Sequence, residues 1–229
     1  MNRLIFVIIV WISFCSIGFG QYRLAVGGAY GGNFYLGDGN PSYPFLQVQD
    51  QYGGLVRILL TPRYALKVNG YYGTLNGSTK YSSNYLPHDA SYAFSKKFWD
   101  MGLNLEYNFF PLSSAKGETN YDFTPYIFTG FGMTLLTGGN NGMVVAPHLP
   151  FGGGVKWKVL ENLTLGAEIG MRKMFTDELD TYSTGDVLND PYNLNGSSVI
   201  NNDYYTCFGI FATISIFKHK WRCGSGSYN

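Results

Sequence analysis

The chain has 229 residues, with 16 Lys+Arg against 15 Asp+Glu and a net charge of +1. Charged residues make up only 14% and aromatics 17%. The neutral balance argues against a basic, phosphate-neutralising face, so no nucleic-acid partner is expected, and the aromatic content argues against disorder. Mean hydropathy is near zero, and no apolar run beyond the N-terminus is long enough to cross a bilayer as a helix. Few charges with 30 Gly and 19 Tyr fit a membrane β-barrel, whose strands meet lipid only at alternate residues.

Residues 1–20 predict a secretory signal. Arg3 supplies its positive start, Leu4 to Phe14 an apolar core too short to span, and Gly18 and Gly20 the small residues before a cut at Gln21. Bulky Phe14 ahead of Cys15 argues against lipoprotein processing. Losing Arg3 with the signal leaves the basic residues balanced against the 15 acidic ones.

Alternating segments follow at 22–32, 51–60, 64–75, 98–110, 124–136, 148–159, 163–174 and 203–217. Most have the ~9–11 residues that a tilted membrane strand needs. At 98–110, Trp99, Met101, Leu103, Leu105, Tyr107 and Phe109 oppose Asp100, Gly102, Asn104, Glu106 and Asn108. At 163–173, Leu163, Leu165, Ala167, Ile169 and Met171 oppose Thr164, Gly166, Glu168, Gly170 and Arg172. In the last segment Phe208, Ile210, Ala212, Ile214 and Ile216 oppose Cys207, Gly209, Phe211, Thr213 and Ser215. A period of two belongs to strands. A soluble sandwich or lipocalin also alternates, but it turns the apolar face inward and meets water with the other. Here that other face is mainly Gly, Thr, Ser and Asn. Aromatics at strand ends (Tyr64, Trp99, Phe109, Phe110, Tyr126, Tyr204 and Phe217) predict interfacial girdles. The sequence therefore predicts an all-β fold, an eight-stranded antiparallel transmembrane β-barrel over 21–217 in the bacterial outer membrane. Ile169 and Ile214 are expected to face lipid near mid-membrane.

Connections at 33–50, 76–97, 137–147 and 175–202 are long or polar, those at 61–63 and 160–162 are tight, and 111–122 is intermediate. Outer-membrane barrels keep short turns in the periplasm. Both termini are therefore expected to be periplasmic, with 218–229 as a short periplasmic tail. Cys207 falls in a strand and Cys223 in that tail, so two unpaired thiols are favoured over a bridge.

Strand parity sends Arg23, Arg57, Lys67, Lys156, Lys158 and Arg172 inward with Asp100, Glu106 and Glu168. Buried charges persist when paired, and eight strands leave little bore. A salt-bridged plug is expected rather than a passage for anions. Catalytic patterns are weak. His88, His148 and His219 have no Ser or acidic partner at telling spacing and read as polar surface. Asp177, Glu178 and Asp180 do not complete a calcium loop. The glycine pairs lack the Lys-Ser/Thr of a phosphate loop. No enzyme activity, metal or cofactor is expected.

Several strings carry a family resemblance: GGNFYLGDGNP at 31–41, EYNFFP at 106–111, TPYIFTGFG at 124–132, LPFGGGVKW at 149–157 and LGAEIGMRKMFTDELDTYS at 165–183. In order and spacing they resemble the PorG-like outer-membrane barrels of the type IX secretion system of Bacteroidota. The resemblance implies a non-enzymatic eight-stranded barrel that contacts a periplasmic ring built from PorK and PorN. It places Arg172, Lys173, Phe175, Thr176, Asp177 and Asp180 at the outer end of the seventh strand. There Arg172 is expected to pair with Glu168 or a neighbouring strand, while Asp177 and Asp180 order the loop. An anchor of this kind has outer-membrane lipids around it and recognises its partner at the periplasmic end. The candidates are Thr61, Arg63, Tyr121, Asp122, Lys218, His219, Trp221 and Arg222. A surface adhesin or defence barrel would instead use outer loops carrying Tyr81, Tyr85, Tyr182 and Tyr192. A lipid-modifying enzyme would need a polar triad at the lipid interface, which these residues do not assemble.

Overall fold

The computed structural model describes residues 23–36, 45, 47–78, 93–112, 121–139, 142–175 and 204–216. The signal segment 1–20 and the tail 218–229 lie outside them. So do Phe217, Cys223, His88, Thr176, Asp177, Asp180 and the four loop tyrosines.

Eight strands follow one another: β1 Arg23–Leu36, β2 Gln49–Leu59, β3 Tyr64–Ser78, β4 Ala93–Asn108, β5 Phe123–Gly139, β6 Gly142–Lys158, β7 Leu163–Met174 and β8 Tyr204–Ser215. Each pairs antiparallel with the next, and β8 closes on β1 from Ala25↔Ser215 to Leu36↔Tyr204. The two-residue period decides which face is which. On β4, Leu103 and Leu105 are 48% and 47% exposed, while Asn104 and Glu106 are 2% and 0% exposed. The apolar set is outside and the polar set inside, the reverse of a soluble barrel.

Several strands run past the ends expected from the sequence. β1 runs on to Leu36, and β4 begins at Ala93. The segment 137–147 is no loop: β5 and β6 continue through it to a hairpin closed at Gly139↔Gly142. Gly142 has φ +81, a left-handed conformation that glycine adopts without strain. A register shift between Leu136 and Gly139 absorbs the irregularity. The Gly/Asn-rich run thus encodes a tight turn on extended strands. With 17 residues each, β5 and β6 exceed the ~9–11 that span a bilayer.

The interior is closed at the end of the long connections. Tyr35, Leu75, Phe98, Leu136, Ala146, Met174, Tyr205 and Cys207 pack there as one buried apolar cap. Below it Leu55, Tyr126, Phe128 and Phe211 form a second cluster. Strand glycines admit these rings: a Cβ on Gly166 would strike the Phe211 ring, and one on Gly170 would stand 2.5 Å from Phe128 Cζ. Two sequence assignments change as a result. Tyr126 is 1% exposed and faces the interior, so it belongs to no girdle. Ile214 faces outward but pairs with Leu163, the first residue of β7, so it lies near the short-turn end rather than mid-strand.

Candidate functional site

The interior charges come from strands distant in sequence, each aimed inward by parity. Glu106 on β4 is the hub of the lower half. It accepts from Arg57 Nε at 2.7 Å and Nη2 at 3.0 Å, and from Lys156 Nζ at 2.6 Å. Lys67 Nζ stands 3.8 Å from its other oxygen. The Arg57 pair is two-pronged, the geometry in which guanidinium binds carboxylate best. Lys67 Nζ donates to Glu168 at 2.7 Å, and Tyr126 and Tyr71 hydroxyls donate to Glu168 at 2.6 and 3.3 Å. Aromatic faces cover the cations. Lys156 Nζ lies 4.0 Å from the Tyr126 centroid, Lys67 Nζ 4.3 Å from Phe128, and Arg57 Cζ 4.9 Å from Phe211.

Asp100 is the hub of the upper half. Arg172 Nε donates to it at 3.3 Å, Asn69 Nδ2 at 3.3 Å, and the Tyr205 hydroxyl closely. Arg172 therefore meets Asp100 across the lumen, not Glu168 on its own strand and not a strand beside it. The seven charges Arg57, Lys67, Asp100, Glu106, Lys156, Glu168 and Arg172 divide into these two centres. Lys158, nearer the short-turn end, is half-buried.

Two further buried basic groups line the interior. His148 is 1% exposed and no surface histidine. Its Nδ1 is 3.2 Å from Thr134 Oγ1, and its Nε2 is 3.7 Å from Asp100, too long for a hydrogen bond. Lys96 is 3% exposed. Both share parity with interior neighbours, but the Ser- and Asn-rich sequence ahead of Lys96 has the character of a loop, and a single His carries no local sign of burial. The thiol of Cys207 is buried and unbridged.

A second candidate region is the rim carrying the short turns. Thr61, Arg63, Tyr121 and Asp122 are all exposed there. Thr61 Oγ1 accepts from the backbone N–H of Arg63 and Tyr64 at 3.3 and 2.9 Å, so this hydroxyl holds the turn together. Arg63 Nη1 donates to the Phe109 carbonyl at 3.0 Å and the Tyr107 hydroxyl at 3.3 Å. Tyr121 packs on Phe110 at 4.9 Å. At the opposite end Lys173 Nζ lies 5.5 Å from the Tyr204 ring, and Phe175 is exposed.

An interior of paired charges under an apolar cap predicts a closed bore. The purified barrel in planar bilayers should show no steady ion conductance. Persistent open current from the wild type would mean that this packing does not survive in the membrane.

A closed antiparallel barrel with an apolar belt outside and paired charges inside is a bacterial outer-membrane β-barrel. The chain belongs to the family described as "Domain of unknown function (DUF6089)", whose model matches residues 2–224. No curated protein matches it in sequence. Among solved structures it is similar to the N-terminal β-barrel domain of Pseudomonas aeruginosa OprF, with 16% identity and a TM-score of 0.43 over 84% of this chain and 99% of that one. It is also similar to Neisserial surface protein A, with 10% identity and a TM-score of 0.49 over 84% of this chain and 96% of that one. A third is Ail, the attachment invasion locus protein of Yersinia pestis, in complex with the heparin analogue sucrose octasulfate. It has 10% identity and a TM-score of 0.40 over 85% of this chain and 97% of that one. At these identities no function passes from them to this chain.

Proposed function

We propose that this barrel is a non-enzymatic, PorG-like component of the type IX secretion machinery that docks or anchors the PorK–PorN ring at its periplasmic end. The observation that carries the reading is the filled interior. A barrel with no open bore works through its ends, and here the short-turn end presents a compact, exposed polar and aromatic rim. Arg63, Tyr121 and Asp122 are on that rim, and Lys218, His219, Trp221 and Arg222 follow β8 in sequence. Arg and Trp are enriched at binding hot spots because each buries a large area while offering a donor. The orientation is part of the proposal: short turns and both termini face the periplasm, and the signal at 1–20 delivers the chain there. The family resemblance adds the identity of the partner.

The test is co-purification from cells making equal amounts of membrane-inserted protein. Deleting 219–229 together with Tyr121→Ser and Arg63→Ser should weaken capture of the ring, while the barrel still inserts because all eight strands are kept. Undiminished recovery of the ring would remove these segments as the docking surface. Lost insertion would instead make them membrane anchors, since Trp and basic residues also favour the interface. A surface adhesin or defence barrel is the second reading. Its support is the β5–β6 hairpin, which extends past the bilayer with Met143 and Val145 63% and 50% exposed. That reading expects loss of surface binding on hairpin truncation with ring capture intact.

A further inference from the structure

The lower half of the interior is not charge-balanced. Two carboxylates, Glu106 and Glu168, face three cations, Arg57, Lys67 and Lys156. Nearer the mouth Lys158 and Glu161 add one charge of each sign. By formal count, the described residues of this half carry one positive charge more than negative. The wall around it turns a hydrocarbon face outward, so that excess is costly unless an anion or water reaches it.

Access is possible from one side. The apolar cap closes the end of the long connections. At the short-turn end a cup opens, lined among others by Arg57, Asn108, Lys156, Lys158, Thr164 and Thr213. Arg57 and Lys156 are 4% and 1% exposed, so the cationic floor is deep. Thr164 and Thr213 stand opposite each other on β7 and β8, where the Thr213 hydroxyl donates to the Thr164 carbonyl at 3.4 Å and the Thr164 side chain lines the cup. Leu112, from the connection between β4 and β5, also borders the cup.

We propose that this cup binds a small free oxyanion of the phosphate type. Arg57 and Lys156 give it an electropositive floor. The Thr164 hydroxyl offers a donor from the side, and Lys158 adds a compact charge nearer the mouth. An oxyanion suits the set because its several acceptor oxygens can take donors from different directions at once. The cup lies inside the barrel wall, so the ion comes from water and not from a lipid headgroup. Binding and passage are separate matters: the cap keeps the far end shut. The inference does not depend on which partner the rim docks.

The experiment uses the refolded full chain in detergent, titrated with inorganic phosphate at constant ionic strength against a sodium chloride control. Calorimetry should show saturable binding at one site. Lys158→Gln should weaken it about fivefold, the scale of one charge acting through partly aqueous surroundings, and Glu161→Gln should tighten it by a similar factor. Both positions lie away from the Glu106 hub, so folding is retained. Thr164→Val should also weaken binding, because it removes a donor without changing charge. Phosphate heats no different from chloride would overturn the proposal. So would Lys158→Gln and Glu161→Gln shifting the affinity in the same direction, or all three variants binding as the wild type does, because the ion would then sit elsewhere.

Discussion

Replacing Glu106 by Gln should unfold the barrel more readily than any other single change to its interior polar groups. The carboxylate is 0% exposed and holds Arg57 and Lys156 directly, with Lys67 close by. Gln keeps the shape but not the charge, so these cations lose their shared counter-ion. Breaking a buried pair by removing one partner costs roughly 3–5 kcal/mol, mostly the penalty of the charge left behind. The loss should appear in denaturant titrations of protein folded into lipid vesicles. Glu161→Gln at the exposed turn is the control and should stay within about 0.5 kcal/mol of wild type. Combining Glu106→Gln with Lys156→Met should recover part of the loss, since one stranded cation is gone and contacting residues couple. A Glu106→Gln variant as stable as the control would show that water, not Glu106, compensates the cluster. The same substitution separates the hub from the cup. It raises the positive excess beside the cup, so any variant that does fold should hold phosphate more tightly.

The strands were legible because one chemical constraint repeats along them. Lipid outside and a filled bore inside force a two-residue period, and β4, β7 and β8 from Ile210 onward carry it, while Thr206 near the start of β8 is buried on the outward parity. Inward charges were legible for the same reason, since parity alone places Arg57, Glu106 and Lys156. Boundaries were not, because Gly- and Asn-rich sequence reads as loop whether it turns in two residues or in ten. The run around Gly139 and Gly142 is the case in point, and the Ser- and Asn-rich run before β4 conceals Lys96 in the same way. Tyr126 shows a different limit. Aromatics near strand ends suggest a girdle, yet Tyr126 shares parity with Phe128, and parity was the stronger guide. The pairings themselves were not readable from local pattern. Arg172 and Asp100 are 72 residues apart and meet across the bore. Which opposed residues fall at one depth depends on strand tilt and stagger around the whole barrel, a global property that no single segment carries.

Lysine at Ile169 or Ile210 should cost about 2–4 kcal/mol, whereas lysine at Ile214 should cost about 0–1 kcal/mol. All three side chains face outward, with Ile169 48%, Ile210 65% and Ile214 54% exposed. Exposure therefore does not separate them; depth does. Ile169 lies in the middle of β7, and Ile210 is central on β8. Ile214 is paired with Leu163 where β7 begins, beside the tight turn. A lysine there can extend its stem along apolar surface and bring the ammonium to the headgroups. At Ile169 the same side chain starts near the bilayer centre, and the distance to water in either direction is longest. Thr213→Ser, on the inner face one residue from Ile214, should change stability little, because the hydroxyl is kept and only a methyl is lost. Folding titrations into vesicles of fixed chain length give all these values on one scale. Thinner bilayers should reduce the Ile169→Lys penalty more than the Ile214→Lys penalty, because thinning moves water toward the centre. Equal costs at Ile169 and Ile214 would mean that the membrane belt is displaced toward the short-turn end. Negligible cost at Ile169 and Ile210 together would mean that this face does not meet lipid at all.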